Sequence, residues 1–357
     1  MASILIDLYM LKYPHCGFGQ IAWNYARYFK ESYVPQPNIE ITLLVPPKYK
    51  GAFGNNVKYV TGIFFRRYIS RLFPKYDLWH STDQIPRFKP YSKDTTYLLT
   101  IHDFNHEYEK TGVALKHAQN RINKHIKRAD HLIYISQFAA SDGKRFSICP
   151  DTPHKIIYNG VENLSICKDE VPAGINPNKP FFFTIGEVRQ KKNFHVLLDV
   201  MKAFPEYELY IAGPHPTDYA KQMIERIEKE NITNVHLLGR VDNQHRVWLY
   251  RNCKAFLFPS LFEGFGLPVI EAMQFGKPVF SSDKTSLKEI GGKCAYFWTN
   301  FEPDYMVKVM KEGLSDFESN PNRSIAAKEY AASFSYERNI QSIMDFYKEL
   351  LKDKGVI

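Results

Sequence analysis

FPSLFEGFGLPVIEAMQFGKPVFSSDKTSLKEIGG, residues 258–292, decides the reading of this chain. It begins as the short apolar strand Ala255–Phe258 ends, passes through a loop holding Glu263, Gly264, Phe265 and Gly266, and enters a helix at Leu267 and Pro268 with Glu271 one turn inside. The first N–H groups of a helix have no partner within it, and the helix dipole favours negative charge there. Glycine allows backbone to approach a ligand closely. Gly266, Leu267 and their neighbours therefore form a seat for a diphosphate that needs no cation of its own. The two glutamates stand in loop and helix and address different parts of one ligand; their placement is not that of a metal pair.

Outward from this segment, apolar β-rich runs alternate with helical patterns, which is how parallel sheets covered on both faces are written. The class is α/β. In the first half the pattern predicts strands Ser3–Tyr9, Ile39–Val45, Leu78–Ser81, Tyr97–His102, His131–Ser136 and Lys155–Tyr158, with helices Gly19–Lys30 and Ala114–Arg128. It restarts near Phe181 with strands Phe181–Ile185, Glu208–Ala212, Val235–Leu238, Ala255–Phe258 and Pro278–Ser281. Helices Asn193–Phe204, Asp218–Glu230, Gln244–Cys253 and Leu267–Phe275 intervene. The connector CKDEVPAGINPNKP, 167–180, is rich in Pro, Gly and charge and marks a boundary. Two domains follow, 1–167 and 168–334. After them Ser335 caps a last helix, its apolar stripe running through Ile340, Ile343, Phe346, Tyr347 and Leu350.

A length of 357 residues suits two domains, and no run nears the ~20 apolar residues of a membrane-spanning helix. The N-terminus lacks a basic flank and cleavage site, so the expected location is the cytoplasm. Five scattered cysteines, with no Cys-x-x-Cys pair, argue against a disulfide framework and a zinc site. Charge is uneven. Residues 1–165 carry 22 Lys and Arg against 13 Asp and Glu, whereas 166–357 carry 25 of each. The basic half implies either an anionic partner, such as the inner face of a membrane, or solubility alone.

Further segments carry chemistry. In FTIGEVRQKKNF, 183–194, a strand ends at Gly186 and a basic loop of Arg189, Lys191 and Lys192 precedes a helix capped near Asn193. Such charges neutralise a leaving diphosphate, the task a metal performs elsewhere. Strand Tyr97–His102 delivers His102 to its C-terminal end, where open α/β sheets contact ligands. CGFGQIAWN, 16–24, spells a G-x-G-x-x-A fingerprint, but the strand before it ends too early and no acidic residue follows the next strand for a ribose. Nicotinamide is disfavoured. The chain has no P-loop and no Gly-x-Ser-x-Gly turn, which sets aside phosphoryl transfer and ester hydrolysis. It also has no Asp-x-Asp, the pair that holds a divalent ion on a sugar nucleotide, so no metal and no cofactor is expected.

Ser260, Glu263 to Pro268, Glu271 to Met273, Gly276, Pro278 and Val279 together resemble the S-x-x-E-G-F-G-L-P-x-x-E-A-M-x-x-G-x-P-V pattern of glycosyltransferase family 4. The resemblance is dense over 181–292 and thin over 49–72 and 143–153. It implies the GT-B fold, two facing Rossmann-like domains with the C-terminal helix crossing back onto the first, and metal-independent transfer of a hexose with retention of configuration. By that resemblance Glu271 binds the donor ribose, Glu263 lies by the transferred sugar and Lys192 holds the diphosphate. The family's second cation follows its glycine directly, where this chain has Glu187, so Arg189 or Lys191 takes that part. Arg240 and Val241 would meet the nucleobase, His102 the donor sugar, and Gly17 and Gly19 would border the donor phosphates. The expected donor is GDP-mannose or a UDP-sugar, and the acceptor a glycan or lipid-linked saccharide of a cell-surface polysaccharide. A nucleotide-sugar epimerase and a non-catalytic sugar-nucleotide-binding subunit are the alternatives. No motif points to nucleic acid.

Overall fold

The computed structural model describes residues 1–14 and 16–357. The chain divides into two units, Met1–Gly160 with Ser335–Ile357, and Val161–Phe334. The chain passes from one to the other at Gly160, upstream of the expected connector. The reason is local: Leu164 N–H donates to Gln274, and Arg251 bonds the carbonyls of Ser165 and Cys167 and pairs with Asp169, so this stretch is held by the second unit.

The first unit contains seven parallel strands: β1 (Ala2–Asp7), β2 (Ile39–Val45), β3 (Lys58–Thr61), β4 (Leu78–Ser81), β5 (Thr96–Ile101), β6 (His131–Tyr134) and β7 (His154–Ile156), in the order 3-2-1-4-5-6-7. Successive side chains of a strand point to opposite faces. Ile4 and Ile6 accordingly enter one core with Ile41, Leu43 and Leu98, and Leu5 the other with Trp79, Tyr97 and Leu99. Burial on both faces explains why these strands read as unbroken apolar runs. The final helix, Tyr336–Asp353, starts on Ser335, whose hydroxyl accepts from Arg338 N–H. Its whole predicted stripe joins the first of these cores. Tyr347 also reaches fully buried His80, 2.5 Å from Nδ1.

The second unit contains β8 (Phe181–Ile185), β9 (Glu208–Ala212), β10 (Val235–Gly239), β11 (Ala255–Phe258), β12 (Val279–Ser282) and β13 (Ala295–Trp298), all parallel, in the order 10-9-8-11-12-13. The predicted helix over Asn193–Phe204 is shorter. A single turn, Gln190–Lys192, comes first, Asn193 takes a left-handed φ of 57°, and the helix runs only Val196–Met201. Asn193 therefore closes that turn, its N–H donating to the Gln190 carbonyl, and does not cap the helix that follows.

Both sheets reverse strand order once, β1 beside β4 and β8 beside β11. At such a switch point the connections leave in opposite directions, which opens a crevice beyond the carboxyl ends of the two strands.

Candidate functional site

The crevice at β8 and β11 is built from close backbone approaches. At Gly186, φ 152°, a Cβ would stand 3.0 Å from Lys192 Cε, and at Gly213, φ 133°, a Cβ would overlap the Gly186 carbonyl. The Gln190–Lys192 turn is tied across the switch point by Leu261 N–H, which donates to the Lys191 carbonyl at 2.7 Å. Lys192 Nζ, over the ring of Phe258, meets Glu263 Oε1 at 2.5 Å. Ser260 Oγ lies 2.7 Å from the same oxygen and 3.1 Å from the Lys191 carbonyl; a hydroxyl has one proton, and the nearer carboxylate takes it. Burial raises the Glu263 carboxyl, but Lys192, Lys191 and the Ser260 hydroxyl outweigh it and hold the group below its ordinary range. The sequence leaves Lys192 open to a diphosphate; the structure pairs it with Glu263, both side chains being only 13–14% exposed.

Glu263 to Gly266 hang on the segment after β12. Glu263 N–H donates to Thr285 Oγ1, and Ser286 Oγ stands 2.9 and 3.1 Å from the carbonyls of Glu263 and Phe265. With its carbonyls turned that way, the loop enters helix Leu267–Gln274 through Gly266, φ 103°, where a Cβ would strike Leu287. The amides of Gly266 and Leu267 donate to no described residue. Phe265 is buried against Phe334 and contributes packing through its ring.

Glu271 is buried in this helix with both oxygens engaged, Oε2 by Tyr250 OH at 2.8 Å and Oε1 by Arg246 at 3.3 Å. The Arg246 Nε is buried without a partner among the described residues. Burial alone would weaken the Arg246 charge, but Glu271 together with Tyr250, Glu162 and Cys167 outweighs it. Each carboxylate oxygen accepts more than one hydrogen bond, so ribose hydroxyls still find lone pairs here. Arg240 is exposed and Val241 half-buried, both just past β10 and Gly239, φ 71°. Arg189 is half exposed and pairs with Glu187 at 3.6 Å. Among the described residues no cluster of three or more His, Cys, Asp or Glu is placed to hold a metal ion.

Residues 167–334, which contain all of these groups, match the family of glycosyl transferases group 1. Among the similar proteins, O-antigen chain mannosyltransferase B of Escherichia coli is 30% identical over 173 residues, 46% of this chain and 45% of that one. O-antigen chain mannosyltransferase RfbU of Salmonella typhimurium is 24% identical over 257 residues, 70% of this chain and 69% of that one. The chain spans less than half the length of the first curated relatives it matches. HepE of Anabaena, solved with UDP-glucose, shares the fold with a TM-score of 0.73 at 17% identity, over 98% of this chain and all of that one. Two parallel Rossmann-like sheets of this kind are the GT-B fold.

The other predicted site residues belong to the first unit. His102 is buried, and its Nε2 lies 2.8 Å from the Thr82 carbonyl, which fixes the proton on that nitrogen because a carbonyl only accepts. Burial pushes its pKa down, so it is neutral near pH 7. Its ring packs edge-on against Phe18 at 4.7 Å, which brings it beside Gly17 and Gly19. The helix predicted over Gly19–Lys30 starts two residues earlier and takes in both glycines. They lie in the first turn of helix Gly17–Glu31, capped by Cys16 Sγ, which accepts from Gly19 N–H. Gly17 faces open space, whereas a Cβ at Gly19 would overlap the Tyr13 carbonyl.

Arg246, Tyr250, Thr285 and Ser286 are missing from the sequence reading. A helical spacing of four puts Arg246 and Tyr250 on one face, the only signal that could have marked them. Ser136, the last residue of the predicted strand His131–Ser136, caps the helix Gln137–Phe146: its hydroxyl accepts from Ala139 N–H.

Proposed function

We propose that the protein is a retaining glycosyltransferase that moves a hexose from a nucleotide diphosphate sugar to a saccharide acceptor without a metal. One observation carries the reading: the β8/β11 switch point gathers Lys192, Glu263 and the unpaired amides of Gly266 and Leu267 in one domain of the matching family. Charge develops on the diphosphate as the glycosidic bond breaks, and preorganised donors lower that barrier most. Lys192 has two protons beyond the one Glu263 takes, and these with the two amides serve the leaving group. Arg189 or Lys191 adds the second positive charge. Glu263 positions the sugar and Lys192, while Glu271 receives the ribose hydroxyls. Arg240 and Val241 border the base.

Mannose is the favoured sugar, because proteins named mannosyltransferases recur among the relatives, and GDP-mannose is accordingly the donor to test first. Calorimetry with GDP, UDP, GDP-mannose and UDP-glucose tests the site. A wild-type protein that binds none of them sinks the reading. Transfer abolished by EDTA and restored by a divalent ion refutes metal independence.

The acceptor we propose is lipid-linked, at the inner face of a membrane. Ile63, Phe64, Phe65, Tyr68, Ile69 and Leu72 are all 40–66% exposed within ten residues that also hold Arg66, Arg67 and Arg71. Exposed aromatics interleaved with arginine suit the headgroup region of an anionic bilayer. No helix is long and apolar enough to cross a membrane among the described residues. Flotation with phosphatidylglycerol vesicles, set against phosphatidylcholine alone, checks this; equal recovery from wild type and a Phe64→Ser/Phe65→Ser variant refutes it.

A further inference from the structure

The switch point of the first sheet has its own crevice. Parallel pairing sets Asp7, the last residue of β1, beside Ser81, the last of β4, and Asp83 follows two residues later. A cavity of about 300 Å³ opens there, lined by Asp7, Tyr9, Tyr13, Asp83, Arg87 and Arg121 among others. Asp7 is 6% exposed. Its Oδ1 accepts from Tyr9 N–H at 2.9 Å, while among the described residues Oδ2 takes no hydrogen bond and no cation forms an ion pair with Asp7. Burial, only partly offset by the Tyr9 amide and reinforced by Asp83, pushes its carboxyl up to about 7. A carboxylate kept dry and unpaired is costly, and in a cavity at a switch point the group that repays the cost is a ligand.

The lining names the ligand class. A sugar presents hydroxyls, which carboxylates accept, and a C–H face, which tyrosine rings cover. Arg87, lying over Tyr9 at 5.5 Å, and Arg121 on the rim leave room for an anionic substituent. The exposed apolar and basic segment at residues 63–72 starts next to this wall: a Cβ on Gly62 would strike the rings of Tyr9 and Phe88.

We infer that the β1/β4 crevice binds the acceptor as a phosphate-bearing sugar, Asp7 and Asp83 taking its hydroxyls and Arg87 with Arg121 its phosphate. The assignment rests on reading the second unit as the donor site. It goes beyond that reading in giving the acceptor its residues, of which only the basic character was anticipated.

The probes are mannose 1-phosphate, a farnesyl-diphosphate-linked mannose and methyl mannoside, followed by ligand-observed NMR on the full chain with saturating GDP or UDP present. Both phosphate-bearing probes should bind at least ten-fold more tightly than methyl mannoside, and the tighter of the two identifies a free or lipid-borne source. Asp7→Asn and Arg87→Ala should each weaken binding at least ten-fold while nucleotide affinity is unchanged. Asp83→Asn, at a half-buried position, guards against a folding defect in the Asp7 variant. Probe binding that is indifferent to all three substitutions, or that nucleotide displaces, overturns the assignment. Absence of probe binding in a protein that still binds nucleotide overturns it alone and leaves the donor reading standing.

Discussion

The two switch points share a topology and differ in charge. At β8/β11 a carboxylate and an ammonium neutralise each other, Glu263 with Lys192, beside unpaired amides. At β1/β4 the buried carboxylate, Asp7, has a second acid nearby and no ion-pair partner among the described residues. A crevice that must receive a diphosphate can store its positive charge against an internal anion until the ligand arrives. A crevice that must receive hydroxyls needs acceptors and can leave them unpaired. Their pH signs are opposite as well. Glu263 has a lowered pKa, so its stabilisation holds at neutral pH and is lost as acid protonates it. Asp7 has a raised one, so its contribution is full in acid and disappears as the pH rises toward about 7.

The contrast is broken most severely at Lys192. Lys192→Ala should cost about 100- to 1,000-fold in transfer rate and about 3 kcal/mol in stability, because Glu263 is left charged without its partner. A Lys192→Ala/Glu263→Gln double variant should regain most of the stability and none of the rate, which urea melts and initial rates on one preparation will show. Next is Asp7→Asn. Relative to wild type it should gain about 4 kcal/mol between pH 4 and pH 8, since only the wild type ionises a buried group over that range. A gain that does not depend on pH would mean Asp7 is already neutral or hydrated.

Much of this comparison could be read from the residues and part could not. The strands flanking both switch points are central, buried on two faces, and their apolar runs announce them. The strands absent from the sequence reading, β3 and β13, are four-residue edge strands, where one flank lacks a neighbour and the pattern is too short to register. Glu263, Glu271 and Lys192 stand in a recognisable motif, but the pairing of Lys192 with Glu263 spans 71 positions and is set by how β8 lies on β11. Asp7 escaped notice because a lone acid ending an apolar strand has no periodicity, and only the sheet order puts it beside Asp83.

Two smaller tests sharpen the contrast. Glu271→Ala should weaken nucleotide binding about 30-fold, or roughly 2 kcal/mol, leaving Arg246 and Tyr250 buried without their acceptor; calorimetry with the nucleotide alone reads it. Gly17→Ala should change stability by less than about 1 kcal/mol, there being nothing for its Cβ to meet. If transfer nevertheless falls, Gly17 borders the ligand, and an unchanged rate removes it from the site.

The Tyr347–His80 bond and the apolar stripe around it bear on biosynthesis. β1 leaves the ribosome well before the helix Tyr336–Asp353 that closes its core, so that unit stays open on one face while 161–334 are made. The second unit, contiguous in sequence, can complete its core before the first. A nascent chain stalled after residue 334 should then protect the second unit from protease while the first is still cut.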